Sequence, residues 1–193
     1  TEAGRHCFVH RPDALQSAVR MGCFTVGCDH PDYFKTRLMV TLFGGYFGSR
    51  LMKNIREDKG YTYGISAGIV SYPFRNVLVV STQTANDYAP LVVREVEYEM
   101  ERLQTERVAD AELDMVRNYT LGDMCRSYES PFSLADAYIF LQTAGLEPDF
   151  FTRSQQAVLD ITADDVRDLA CKYLRKENFT EVIAGKKCAE NPA

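Results

Sequence analysis

Residues Phe43–Ile65 read FGGYFGSRLMKNIREDKGYTYGI, with five glycines, the charged run Arg56-Glu57-Asp58-Lys59 and two late tyrosines within 23 residues. Glycine admits positive φ and lets the backbone approach another segment closely. Leu51, Met52 and Ile55 stand at i, i+1 and i+4 and predict an apolar helix face over Ser49–Asp58. Gly60 sits where a helix stop belongs. Tyr61–Tyr72 and Asn76–Thr84 then read as two strands joined by a turn around Pro73. Tyr61, Tyr63, Ile65, Ala67 and Ile69 share one face of the first strand. In the second, Val77, Val79 and Ser81 alternate with Leu78, Val80 and Thr82, a pattern that suits a strand covered on both faces.

Upstream, Arg5–Val9 and Gln16–Gly27 are strand candidates, the latter with Val19, Met21 and Cys23 on one face. Asp29-His30-Pro31 reads as a helix start with Asp29 as cap, leading into Asp32–Leu42, where Phe34, Leu38 and Leu42 make an apolar stripe. Downstream, Asn86-Asp87 is placed to cap a helix to Glu106, with Val92, Val96, Met100 and Leu103 on its stripe. Helices follow at Ala109–Tyr128, Pro131–Ala144, Pro148–Leu159 and Thr162–Leu174, the last opening on a capping box with Asp in place of Glu. Phe179–Ala184 is a closing strand. Strands, helices, strands and helices in that order predict an α+β domain with helices packed on a largely antiparallel sheet.

The chain has 193 residues, 46% of them hydrophobic, and a net charge of −5. That is enough for one sizeable core, and it carries no basic block, which argues against nucleic-acid or anionic-membrane binding. No apolar run approaches a membrane span, and no signal-peptide pattern opens the chain. Without an initiating Met, it reads as a processed product or an excised piece of a longer protein. The six cysteines form no Cys-x-x-Cys pair, and buried free thiols are the expectation. Cys23 and Cys28, five apart in the strand candidate, are expected on opposite faces.

The chemistry in reach is limited. His6 and His10 flank a strand-like segment, where four residues span about 13 Å, too far to share a metal. His30 stands alone, so a zinc site within the chain is not expected. Gly45-Tyr46-Phe47-Gly48-Ser49 lacks the partners of a nucleophile elbow, and the glycines lack the Lys-Ser/Thr of a phosphate loop. Arg56 and Tyr63 remain, two donors suited to an oxyanion or a peptide carbonyl. By residue type alone, the favoured reading is that Arg56 ends a helix, where the dipole favours a cation, and that Tyr63 packs in the sheet.

Ser49-Arg50-Leu51, Asn54-Ile55-Arg56-Glu57, Gly60 and Tyr63 together resemble the C-terminal, non-zinc half of the pitrilysin-type (M16) zinc peptidases. Pro12, Gln16–Gly22, His30-Pro31-Asp32-Tyr33 and Thr162–Val166 stand in the order of that half, so the resemblance covers almost the whole chain. Residues Ala85–Leu159 contribute little to it. It implies that residues 1–193 are a single domain of a longer two- or four-domain protein, paired across a substrate chamber with a homologous zinc-bearing domain, fused or separate. The inverted His-x-x-Glu-His helix of the zinc half is absent here. The family's arginine and tyrosine, seven apart, map onto Arg56 and Tyr63 as supporting catalytic residues; Tyr61 is two off that spacing. Gly44, Gly45, Gly48 and Tyr61 are then substrate-binding, peptide is the substrate, and zinc belongs to the partner domain. The chain also resembles non-catalytic scaffold members of the superfamily, such as core proteins of a respiratory complex, in which Arg56 and Tyr63 would serve packing. A free-standing glycine-loop domain that binds anions is a third reading.

Overall fold

A computed structural model describes residues 5–72 and 75–187. Strands β1 (His6–His10) and β2 (Gln16–Thr25) lead into helix α1 (Tyr33–Val40), which widens into a π-helical turn at Thr41–Gly45. A second π-helical segment, Met52–Asp58, precedes β3 (Thr62–Ser71) and β4 (Asn76–Ala85). Helices α2 (Ala89–Thr105), α3 (Asp110–Arg126), α4 (Pro131–Ala144), α5 (Phe150–Asp160) and α6 (Ala163–Tyr173) follow, and β5 (Thr180–Gly185) closes the domain. The sheet runs β1-β5-β2-β4-β3; β1 and β5 are parallel and every other neighbouring pair is antiparallel. The expected α+β domain, helices on a largely antiparallel sheet, is the one observed.

The core lies between one sheet face and the helices. Val19, Met21 and Cys23 of β2, Leu78 and Val80 of β4 and Ile65 and Ala67 of β3 are buried beneath Leu38 of α1, Val92, Val96 and Met100 of α2 and Val166 and Ala170 of α6. The stripes read from the sequence are therefore the buried faces. The opposite sheet face is less covered than the pattern in β4 implied. Val77, Val79 and Ser81 are only half-buried and Phe24 is exposed, because no second layer of described residues packs there. The turn expected around Pro73 lies outside the described residues.

Two of the three expected helix starts differ. Asp29 does not cap α1; the N-cap is Asp32, whose carboxylate instead accepts from Lys172 Nζ (2.5 Å) and Tyr173 Oη (2.6 Å), tying α1 to the end of α6. Asn86 accepts from Ser17 Oγ (2.8 Å) and donates to the Ala14 carbonyl (3.0 Å), so α2 starts without a side-chain cap. Both side chains are recruited by segments distant in sequence. The third start holds: Thr162 accepts from the Asp165 amide (3.1 Å), and Asp165 accepts from the Thr162 amide (2.8 Å). Among the described cysteines only Cys23 is buried, and burial pushes its thiol up to about 12. Cys28 lies beyond the end of β2 and is half-buried; Cys7, Cys125 and Cys171 are exposed. Cys188 lies outside the described residues.

The hydrogen bonds from Lys172 and Tyr173 hold the Asp32 carboxyl below the usual carboxylate range. A depressed folded-state value stabilises the fold above the ordinary value of about 4 and loses that contribution as pH falls through the folded value. Asp32→Asn should therefore be less stable than wild type at about pH 7, with the gap narrowing toward about pH 2. Urea denaturation across that range measures it; a pH-independent gap would contradict the linkage.

Candidate functional site

The site is built where α1 ends against the edge strand β3. A Cβ on Gly44 would stand 2.6 Å from Ala67 Cβ and 2.8 Å from the Ala67 backbone nitrogen, so only glycine permits this approach. Gly44 is buried, whereas Gly45 and Gly48 are exposed. Tyr46 turns the chain outward in extended conformation and stacks on Tyr119 of α3, centroids 4.8 Å apart.

The following helix is anchored from two sides. Arg50 binds Glu112 of α3 through paired bonds of 2.8 and 2.9 Å. Asn54 donates to Glu99 Oε1 of α2 at 2.7 Å, and Glu99, only 1% exposed, is also met by Arg102 at 3.2 Å. A buried carboxylate is tolerated only when so satisfied. Lys59 pairs with Glu95 at 2.5 Å, and that hydrogen bond holds the ammonium above its usual range. At the helix end Lys59 N–H donates to the Asn54 carbonyl and Tyr61 N–H to the Ile55 carbonyl, around Gly60 at φ +66°. Arg50, Asn54 and Gly60 of the sequence motif are thus scaffold. Glu99 and Glu112 were missed, although Glu99 interrupts the apolar stripe of Val96 and Met100, a signal that it needed a partner.

Arg56 is different. Its guanidinium lies over the Phe47 ring at 4.7 Å, and it has no ion pair among the described residues. Tyr63 differs from its expected place. Thr62 pairs with Thr84 but Ile65 with Thr82, so Tyr63 and Gly64 together oppose Gln83 in a one-residue β-bulge. Such a bulge redirects a side chain. Thr62 and Ile65 both point into the core, while Tyr63 is 92% exposed. The expectation that Tyr61, Tyr63 and Ile65 share a face is corrected: the bulge breaks the alternation. Tyr61 precedes the strand, half-buried, its ring packed at a tilt against Tyr88 with centroids 4.9 Å apart.

Buried threonines hold the bulge. Thr62 Oγ1 lies 2.6 Å from the Gln83 carbonyl and accepts from the Gly64 amide at 3.1 Å. Thr82 Oγ1 donates to the Gly64 carbonyl at 2.8 Å. Bulge and glycine turn then border a shallow, open cleft of about 350 Å³ lined by Gly44, Gly45, Phe47, Met52 and Gly64. Arg56, Tyr61 and Tyr63 are not part of its lining; Arg56 lies over the lining residue Phe47, and Tyr63 precedes the lining residue Gly64 in the chain. Among the described residues no three metal-ligating side chains converge. His6 is bonded to Glu181 at 2.9 Å and His10 accepts from the Lys187 amide, at opposite ends of β1. These residues do not fit a zinc site.

A family model of the peptidase M16 inactive domain matches residues 1–120. The chain belongs to the peptidase M16 inactive-domain family. An uncharacterized zinc protease of Rickettsia felis is 31% identical over 96 residues, 50% of this chain and 23% of the relative. The crystal structure of a peptidase M16 inactive domain from Pseudomonas fluorescens superposes with a TM-score of 0.88 at 21% identity, over 98% of this chain and 45% of that one. A chain of complex III2 from Candida albicans superposes with a TM-score of 0.77 at 12% identity, over 94% of this chain and 46% of that one. At such identities the two structures share the fold alone. This M16 inactive domain spans less than a quarter of the curated relative and less than half of either structural neighbour.

The threonine support of the bulge is testable in the isolated domain. Thr62→Val removes the acceptor of the Gly64 amide and should cost about 0.5–1.5 kcal/mol, with faster Gly64 amide exchange; Thr62→Ser should retain most of both. Denaturant titration and hydrogen exchange read the result, and unchanged Gly64 protection in Thr62→Val would contradict it.

Proposed function

We propose that this domain completes the substrate-binding and transition-state site of a zinc endopeptidase whose metal lies in a homologous companion domain. The single observation that carries the reading is the pair of uncommitted donors on a rigid base. Tyr63 is turned outward by the bulge, and Arg56 has no carboxylate partner among the described residues. Tyr63 is 92% exposed, so it packs in no core of this domain. The family membership and the curated zinc-protease relative support the same reading.

In this account the companion domain's zinc supplies activated water and carbonyl polarisation. This chain does the rest. The Tyr63 hydroxyl donates to the developing oxyanion or the adjacent carbonyl. The Arg56 fork holds a substrate carbonyl or carboxylate, its guanidinium oriented by the Phe47 ring. Gly45 and Gly48 let the peptide backbone come close, and Gly44 lies beneath them, fixing the turn. Tyr61, half-buried on Tyr88, is the weaker of the two tyrosines for substrate contact. The chain is then one domain of a two- or four-domain protein, fused to the zinc-bearing domain or assembled with it. The scaffold reading is supported by the fold likeness to the complex III2 chain, but it leaves the exposure of Tyr63 unused.

With the zinc-bearing domain present, Tyr63→Phe and Arg56→Ala should each lower kcat/KM by about 10²–10³ with unchanged assembly. Wild-type rates from both variants would overturn the site. The isolated chain should bind no stoichiometric zinc and cleave no peptide.

A further inference from the structure

A second cleft, about 500 Å³, opens between α1, α3, α4 and α5. Its wall is a preassembled set of rings: Phe34 meets Phe150 edge-on at 4.8 Å, Phe140 meets Phe150 at 5.8 Å, and Tyr128 meets Phe151 at 4.9 Å. Phe140 remains 36% exposed on α4. Two carboxylates, Asp123 and Asp136, stand among these lining residues, and Arg37 also lines the cleft. Asp123 pairs only with exposed Arg126 at 3.2 Å, and Asp136 has no ion pair among the described residues. Gly45 and Thr41, at the end of α1, line this cleft too, and Gly45 also lines the cleft beside Arg56 and Tyr63.

We propose that this cleft is a peptide subsite that takes a large apolar side chain next to a lysine or arginine, as an extension of the peptide-handling role inferred above. The rings receive the apolar side chain, edge-to-face packing being favourable beyond area burial alone. Asp136 and Asp123 take the cation, with Asp136 the stronger because no protein cation competes for it. Arg37 is the donor for a peptide carbonyl. Gly45 lines both clefts, so they are neighbours on the surface. The occupant is a basic-apolar peptide rather than an acidic one because two carboxylates face one guanidinium.

The test uses this chain and an acetylated, amidated tetrapeptide, Lys-Phe-Leu-Lys, too short to depend on Arg56 and Tyr63. In an NMR titration it should shift the ring resonances of Phe140 and Phe150 and saturate, whereas the Glu-Phe-Leu-Glu counterpart should bind at least tenfold more weakly. Asp136→Asn should weaken binding roughly fivefold, and Phe140→Ala about tenfold. Asp136→Lys, at an exposed position with little folding risk, should abolish it. No saturation at millimolar peptide, equal binding of the acidic peptide, or full affinity in both Asp136 variants would overturn the subsite. Arg56→Ala and Tyr63→Phe should leave tetrapeptide affinity within twofold. Loss of turnover in those variants without tetrapeptide binding would sink the subsite and keep the proposed function, and the reverse pattern would do the opposite.

Discussion

The contact on which the site depends is the approach of Gly44 to the backbone of Ala67. With a Cβ excluded at 2.8 Å from the Ala67 nitrogen, the turn after α1 lies directly on the edge strand. That fixes where the next helix begins. The helix is then held from the far side by Arg50 on Glu112 and Asn54 on Glu99. Arg50 bonds Glu112 through Nε and Nη2 while its Nη1 is buried without a hydrogen-bond partner, and Glu99 accepts from both Asn54 and Arg102; a coupled network gives rigidity that an isolated surface pair does not. The outcome is a short segment clamped between a sheet edge and two helices, with Arg56 and Tyr63 left over. Donors held this way lose little freedom when they meet a ligand, which is what electrostatic preorganisation requires.

Much of this was legible in the sequence, because periodicity and burial coincide. The stripes of α1 and α2 and the alternation in β2 are local properties, and so is the capping box at Thr162 and Asp165. What was not legible depends on partners far along the chain. The bulge at Tyr63 is defined only by the register against Thr82 and Thr84, twenty residues on. Asp29 and Asn86 look like caps, yet the N-cap of α1 is Asp32, whose carboxylate is claimed by Tyr173, and Asn86 is claimed by Ser17. The thiols were expected inside, but hydrophobicity alone does not place a cysteine on α3 or α6. The motif does not separate its scaffold residues from its unpaired side chains. Arg50 and Arg56 are alike in type, and the difference between them is Glu112.

The division of labour follows from the same geometry. This domain brings hydrogen-bond donors, a glycine turn and an aromatic cleft, and no converging set of metal ligands among its described residues. In the proposed enzyme, each half is chemically incomplete. Closing the two halves on a peptide would exclude water from Arg56 and Tyr63 and strengthen both interactions.

The central claim, that Tyr63 meets the reacting carbonyl, is tested most directly by fluorine NMR of 3-fluorotyrosine placed at Tyr63 in the protein assembled with its zinc-bearing domain. A phosphinic peptide, which mimics the tetrahedral intermediate, should shift that resonance on binding, and a matched ground-state peptide should shift it less. An unmoved resonance at full inhibition would contradict the account.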